Sequence, residues 1–408
     1  MSQPLPTPRP SSASTVSAAP IERTDTEGWP ARLALMLAHC AGMLDLVALP
    51  VWVGTLVSAY HMDPQQAGGL ATLFLVGAVF SSLAVAPRLH RLQGRLVASI
   101  GFGLAALAFA GVSLSTDYAV MAALHTLAGV ASAAALSCTH GTIARSANPH
   151  RLFALVGIAL GVFAVLFFAA LPPLLVSLGG ALLFQVFAVV MAVASVATGL
   201  AFPQAVASAG QGGSSPAGPR TALGRAVWLG ALGVSCMALV QAMMFSFLER
   251  IGMDRGFGSQ AVNAVLVALG LVNLLPAGLA ALLQRRWPAE RVVLCGPLVQ
   301  AVLVLLITQS QQFAPYAAAA SVFAAVMIFT HTFAFGLLAQ LDPSGRALAA
   351  TPAMMMAGAA LGPVLGGTLV KWAGYESLAV AAVLMAGCAV LCFSQARQRP
   401  GVSPSNRA

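Results

Sequence analysis

The chain has 408 residues, of which 59% are hydrophobic and 8% are charged, and its mean hydropathy is +0.88. A soluble globular domain carries about 25% charged residues, so this chain has too few charges to cover a water-facing surface. The composition therefore excludes an ordinary soluble enzyme, a disordered protein and a nucleic-acid-binding protein, although the formal net charge is +9. The length instead allows about twelve membrane spans of ~20 residues each.

In chain order, residues 1–28 are rich in Ser, Pro and Thr and predict a disordered cytosolic tail without the pattern of a cleaved signal peptide. Residues 29–202 and 225–396 each predict a six-helix bundle, joined by a Gly/Ser/Pro-rich linker over 203–224 and followed by a tail over 397–408. Because the bilayer core offers no water, each span must bond its own backbone, which predicts an all-α membrane protein. The predicted spans are Leu33–Tyr60, Ala67–Ala86, Leu96–Leu114, Ala119–Ile143, Leu152–Val176, Leu182–Phe202, Ala226–Leu248, Val262–Leu283, Val292–Thr308, Tyr316–Leu338, Leu348–Val370 and Leu378–Phe393.

The positive charges predict the orientation in the membrane. Of the 20 Lys and Arg residues, 17 lie in the tails, the linker or the loops after even-numbered spans, and only Arg250, Arg255 and Lys371 lie on the other side. The positive-inside rule then places both termini in the cytosol. The short loops and the high Ala and Arg content favour a bacterial inner membrane.

The two halves of the chain repeat. A shift of 194 residues places Gln66 on Gln260 and Gly180 on Gly374, and other loop residues follow the same offset. Two parallel six-helix repeats joined by a linker are typical of transporters.

Three motifs resemble those of the major facilitator superfamily. The eleventh span contains Gly358-x-x-x-Gly362-Pro363-x-x-Gly366-Gly367, similar to the glycine–proline helix motif of the family. The other two motifs lie in the loop after the second span and in the fourth span. The resemblance implies twelve helices in two pseudo-repeats, alternating access, and a cavity lined by the first, fourth, seventh and tenth spans.

The loop after the second span resembles the cytosolic signature of the family. It contains Arg88, Arg91, Gly94 and Arg95, with Arg91 where the family has an acidic residue. The resemblance implies a cytosolic gate at these residues. The alternative is that these arginines only set the membrane topology.

One acidic residue, Asp45, lies in the middle of a predicted span, whereas the other ten, Glu249 among them, are assigned to tails, loops or span ends. A charge inside the membrane is costly, and such residues are functional more often than structural. The fourth span carries His125-x-x-x-Gly129, where the family has Arg in place of His. We therefore predict Asp45 as the proton-coupling carboxylate with His125 as its partner. The alternative is a structural Asp45 that is hydrogen-bonded to a neighbour.

Polar and small positions on the cavity helices are the candidate substrate contacts, although such residues also serve helix packing. They are Gly129 and Ser132 in the fourth span, Gln241 in the seventh and His331 in the tenth. The six cysteines have no ligand spacing, and no cofactor or metal is expected.

The sequence contains no P-loop, zinc-protease or serine-hydrolase motif, so we expect no enzymatic activity. It predicts a monomeric secondary transporter in the lipid bilayer that moves a small organic solute by alternating access, coupled to protons and directed to export. Two alternatives stay open: uptake of a small organic anion with His125 and His331 as cationic partners, and a non-transporting membrane sensor or enzyme.

Overall fold

The computed structural model describes residues 23–24, 28–89, 91–203, 205–206, 224–284, 286–342 and 351–397. Within them, eleven helices are long and apolar enough to cross a membrane, and the eighth predicted span is formed by two shorter helices. This confirms the predicted all-helical class. The helices of spans one to twelve are Trp29–Gly42 with Leu44–Ser58, Pro64–Val85, Gly94–Ser113, Tyr118–Ala144, Pro149–Leu178, Ala181–Ala201, Arg225–Asp254, Ser259–Val272 with Pro276–Leu283, Ala289–Gln309, Phe313–Leu341, Thr351–Ala373 and Glu376–Arg397.

Most of the predicted tails and linker lies outside the described residues. The described parts include two short strands, Arg23–Thr24 and Ala205–Val206, which pair antiparallel. Since consecutive spans alternate in direction, the loops after even-numbered spans lie on one side with the linker, here called the linker side. The loops after odd-numbered spans lie on the opposite side, called the far side.

Side chains in the far-side loops set where helices begin. The Asp63 carboxylate accepts a hydrogen bond from the Gln66 backbone N–H at 2.9 Å, and the Gln66 side chain accepts one from the Asp63 N–H at 3.2 Å. This capping box and Pro64 at the first helical position start the second span. Asp117 caps the fourth span by accepting from the Val120 N–H at 2.9 Å.

Two spans that the sequence predicts as continuous are broken. The first span consists of two helices, of which one ends at Gly42 and the next begins at Leu44, because glycine is a weak helix former. The eighth span ends a helix at Val272 and resumes at Pro276. Proline has no N–H to donate to the carbonyl four residues before it, so the hydrogen-bond ladder is interrupted there.

The N-terminal half is held together by glycines at helix crossings. A Cβ at Gly129 of the fourth span would overlap the Phe74 carbonyl of the second span. One at Gly77 would lie 2.8 Å from the Thr126 carbonyl oxygen, and one at Gly101 of the third span 2.6 Å from that of Ala131. Small residues thus let these three spans approach backbone to backbone.

The two halves meet along three pairs of spans: the first with the seventh, the second with the eleventh, and the fifth with the eighth. The first and seventh spans are central, since 72% and 78% of their most apolar stretches lie inside the protein. In the fifth and eighth spans, Gly161 packs against Leu274 and Gly270 against Val165. All six cysteines are free.

Candidate functional site

Asp45 lies in the first turn of the second helix of the first span, directly after the break at Met43. The backbone N–H groups of Asp45 and Leu46 interact with its carboxylate. A helix N-terminus carries a partial positive charge, so the break supplies a stabilising environment for an acid in the membrane. Asp45 is half-buried, between the buried Leu44 and the exposed Leu46.

His125 is fully buried in the N-terminal half, and both of its ring nitrogens are engaged. Its Nδ1 lies 2.7 Å from the Met121 carbonyl oxygen, and its Nε2 accepts a hydrogen bond from Trp52 Nε1 at 3.2 Å. This pattern corresponds to a neutral ring that donates from Nδ1. The Trp52 and His125 rings pack among Phe74, Phe109, Phe184 and Phe187. The structure therefore brings His125 together with Trp52 and leaves neither nitrogen available to Asp45.

A second histidine pair ties the first span to the fourth. His39 Nδ1 lies 3.0 Å from His140 Nε2, toward the linker side of Asp45. His140 also packs edge-on against Phe153. The first span is thus bonded to the fourth on either side of the Asp45 level.

The other predicted substrate contacts bond or pack on residues of their own half of the protein. Gly129 packs on the second span, and the buried Ser132 donates to the Gly129 carbonyl at 3.3 Å. Gln241 accepts from the buried Gln300 of the ninth span at 3.3 Å, inside the C-terminal half. His331 lies 2.9 Å from the Met327 carbonyl through Nδ1 and packs on Phe335. The structure does not bring these four residues together at one place.

The glycine–proline motif of the eleventh span contacts two spans at once. Gly358, Gly362 and Gly366 pack on the seventh span within the same half. Gly367 packs on the Pro64 carbonyl of the second span, so that a Cβ there would overlap backbone. The motif therefore lies where the eleventh span contacts the seventh span of its own half and the second span of the opposite half.

The second and eleventh spans form a close seam on the far side. A Cβ at Gly68 would overlap the Pro363 carbonyl, and the Val364 N–H donates to Thr72 Oγ1 at 3.1 Å. Lys371 Nζ lies 2.9 Å from the Asp63 carboxylate across the same seam. Partial burial would raise the pKa of Asp63, but the Gln66 N–H and the Lys371 ammonium outweigh it and hold that pKa below its usual range.

Glu249 is a residue that the sequence reasoning missed. It was assigned to a span end, but the seventh helix continues to Asp254, and the Glu249 carboxylate packs on the bare backbone of Gly54 in the first span. Gly54 lies nine residues after Asp45, which places the two acids about 13 Å apart along the helix axis. The apolar run that ends at Leu248 gave no signal that the helix continues for another turn and a half.

Two arginines of the predicted gate, Arg88 and Arg95, cap helix ends in the N-terminal half. Arg88 Nη1 donates to the Ala84 carbonyl and Arg95 Nε donates to the Gly199 carbonyl, each at 2.7 Å. Gly94 starts the third span close to the Phe202 ring, and the Arg91 N–H donates to the Arg88 carbonyl at 2.8 Å. Cations at helix C-termini are stabilising, so this geometry gives these arginines a structural task.

Among the described residues, no three His, Cys, Asp or Glu side chains converge on a possible metal site.

Solved structures that share the fold of this chain include transporters. A bacterial homologue of the human lysosomal transporter Spinster, inward-facing and unoccupied, aligns with a TM-score of 0.66 at 15% identity, covering 92% of this chain and 100% of that one. The inward-facing, occupied form of the same homologue aligns with a TM-score of 0.71 at 14% identity, covering 91% of this chain and 98% of that one. The nucleoside transporter NupG aligns with a TM-score of 0.68 at 14% identity, covering 90% of this chain and 97% of that one. A search of curated proteins finds no match.

Twelve spans in two joined halves and these neighbours define a multi-pass membrane protein with a transporter fold. A scan against protein families matches residues 35–342 to the Major Facilitator Superfamily. The chain belongs to this superfamily, which confirms the resemblance drawn from its motifs. The family and its solved neighbours point to a transporter rather than an enzyme.

Proposed function

We propose that the protein is a proton-coupled secondary transporter that exports a small hydrophobic or amphipathic organic compound by alternating access. The observation that carries this proposal is the seam between the halves. The second and eleventh spans touch backbone to backbone at Gly68 and Gly367 on the far side, and the Glu249 carboxylate packs on Gly54 nearby. Such a seam can close one side of the membrane and separate as two rigid halves rock.

The arginine distribution supports a linker side that faces the cytosol. In this proposal the chain acts as a monomer in a bacterial inner membrane. On this assignment the closed far side faces outward. The two central spans hold few charges along most of their length. The second helix of the first span carries only Asp45, and the seventh span carries no charge between Arg225 at its start and the Glu249, Arg250 and Asp254 cluster at its far end. An apolar pathway of this kind suits an apolar or amphipathic substrate.

Asp45 is the proton-coupling group in this proposal. It lies at a helix break in a central span, and broken helices mark ion and substrate sites in many transporters. Both ring nitrogens of His125 are occupied, so in this proposal His125 holds Trp52, which lies in the first span together with Asp45. This also removes one of the two cationic partners that uptake of an organic anion would need.

The test is transport in proteoliposomes across a panel of hydrophobic and amphipathic compounds, with and without an imposed pH gradient. Asp45→Asn should abolish gradient-driven accumulation while equilibrium exchange of the same compound persists. Glu290→Gln, which removes an exposed carboxylate at the start of the ninth span, is the matched control and should behave like the wild type.

Glu249, the acid of the other central span, provides the contrasting variant. Glu249→Gln is nearly isosteric and keeps the contact with Gly54, so coupling should survive in it. Accumulation lost in Glu249→Gln but kept in Asp45→Asn would move the coupling role to the seventh span. Accumulation kept in both variants would refute coupling through either carboxylate.

A further inference from the structure

A groove of about 630 Å³ lies between the eighth, ninth and tenth spans on the linker side. Arg286, Trp287 and Arg291 line one end of it, where the loop before the ninth span meets the membrane surface. The rest of its wall is apolar and includes Leu275, Leu279 and Val299. The groove is therefore amphipathic along its length, with its positive charge at one end.

The break in the eighth span coincides with this groove. Leu275 and Pro276, at the break, both belong to its wall. The corresponding crossing in the N-terminal half is tightly packed, because Gly77 of the second span approaches the fourth backbone to backbone. The 194-residue offset places Leu271 at the position of Gly77, and this leucine is 51% exposed instead of being packed on the neighbouring span.

The groove opens toward the perimeter of the protein. Leu298, Val299, Val302, Leu305 and Leu306 form an exposed apolar stripe at helical spacing on the ninth span. Val299 belongs to both the stripe and the groove wall, with 45% of its surface exposed. Since the exposed apolar stripe of a membrane helix faces lipid, the groove is continuous with the lipid phase.

The dimensions of the groove match one leaflet. Arg291 and Val299 are eight residues apart on one helix, a rise of about 12 Å. The hydrocarbon core of a bilayer is ~30 Å thick, so one leaflet contributes ~15 Å. An acyl chain that starts at the arginines can thus run along the apolar wall toward mid-membrane.

The charges select the headgroup. Arg286 and Arg291 are both exposed and point to an anionic group, and Trp287 between them suits the membrane interface. Glu290, the acidic residue of this loop, does not line the groove. Basic pockets between spans on the cytoplasmic side recognise acidic lipid headgroups.

We infer that this groove binds an acidic phospholipid, with its phosphate at Arg286 and Arg291 and one acyl chain along the apolar wall. A soluble organic anion would need an enclosed site, whereas this groove opens into the bilayer. The occupant therefore reaches it laterally, from the leaflet on the linker side.

The experiment measures lipid retention by native mass spectrometry on the full chain purified in detergent with added phosphatidylglycerol or phosphatidylcholine. The wild type should retain phosphatidylglycerol selectively. Each basic residue beside an anionic headgroup contributes about fivefold in affinity, so Arg286→Gln/Arg291→Gln should weaken retention about 25-fold. Arg145→Gln/Arg151→Gln, which removes the same charge from the N-terminal half on the same side, should change it less than twofold.

A second variant tests the apolar wall. Val299→Trp fills the groove without changing a charge and should reduce retention at least fivefold, whereas Val302→Trp on the same lipid-facing stripe should not. Equal retention of phosphatidylcholine, or full displacement by inorganic phosphate, would overturn the assignment to a phospholipid. Unchanged retention in both the arginine variant and Val299→Trp would exclude this groove as the site.

Discussion

The two halves share a sequence repeat, but their interiors are built differently. In the N-terminal half, Gly77 and Gly129 bring the second and fourth spans into backbone contact. The offset of 194 residues places Leu271 and Phe323 at these positions in the C-terminal half, where the eighth span is broken and a groove opens beside it. The crossing built on glycines is thus closed, whereas the offset crossing, with an exposed leucine and a buried phenylalanine, has a gap beside it.

The polar contacts differ in the same way. In the N-terminal half, a buried hydrogen bond joins Trp52 to His125 within an aromatic cluster. The offset places Ser246 and Ala319 at those positions, and neither side chain can reproduce the bond. The comparison indicates that the N-terminal half is joined by close backbone contacts and a buried hydrogen bond, whereas the C-terminal half is interrupted at the eighth span.

The largest expected effect comes from adding a side chain at Gly129, where the second and fourth spans are in backbone contact. In Gly129→Ala the added Cβ would overlap the Phe74 carbonyl, and a backbone atom cannot move aside as a side chain can. Overpacking of this kind destabilises by about 1–3 kcal/mol, and we expect the upper part of this range. The melting temperature of the purified protein should fall by about 2–4 °C in a fluorescence-detected size-exclusion assay.

Two alanine variants at positions related by the 194-residue offset, Gly77 and Leu271, separate the effect of the packing from that of the introduced alanine. Gly77→Ala should also destabilise, by less, because its Cβ would lie 2.8 Å from the Thr126 carbonyl. Leu271→Ala places the same residue at the matching position of the other half, where the side chain is 51% exposed, and should change stability by about 0.5 kcal/mol or less. Equal losses in the two halves would contradict the difference in packing.

Sequence reasoning was strongest where the physics is local and repeated. The bilayer requires long apolar helices, so the class of fold and the twelve spans could be predicted from runs of residues alone. The breaks at Met43 and after Val272 were missed, because the apolar pattern continues through both. Hydropathy describes side chains, so it does not indicate where a backbone hydrogen bond is missing.

The candidate site was predicted less well, because side-chain partners depend on neighbouring helices. His125 and Glu249 illustrate this. The sequence presents His125 as a titratable cavity group, but its ring is bonded to Trp52, 73 positions away. It presents Glu249 as a terminal acid, but the carboxylate lies on Gly54 of the opposite half. The role of Asp45 stays a prediction.

A smaller effect is expected from the buried bond of the N-terminal half. His125→Leu keeps the volume but leaves the Trp52 N–H without an acceptor, which costs about 1–3 kcal/mol. The double variant His125→Leu/Trp52→Phe also removes the donor, so its loss should be less than the sum of the single losses. Melting temperatures of the wild type, the two single variants and the double variant measure this coupling.

The same variant separates a structural from a proton-coupling role. Because both ring nitrogens of His125 are engaged, transport by His125→Leu should keep the pH profile of the wild type with a lower amount of folded protein. A profile displaced along the pH axis in His125→Leu would instead support His125 as the partner of Asp45.

The smallest effect is expected at the ion pair that links the halves on the far side. Asp63→Asn removes the carboxylate charge at Lys371 but keeps the helix cap, since asparagine caps as well as aspartate. The two side chains are 34% and 36% exposed, and such pairs contribute at most about 1 kcal/mol, so transport should change less than fivefold. Lys371→Gln should give the same change, and the double variant should add nothing further.

The pH dependence of this ion pair follows from the sign of the shift. The pKa of Asp63 is lowered, so the stabilisation is fully present above the ordinary range of an aspartate and is lost only as the pH falls through the lowered value. The ion pair is therefore intact from pH 5 to pH 8. Any pH dependence of transport in that window should survive in Asp63→Asn, and its disappearance there would shift the search for the titrating group from Asp45 to the far-side ion pair.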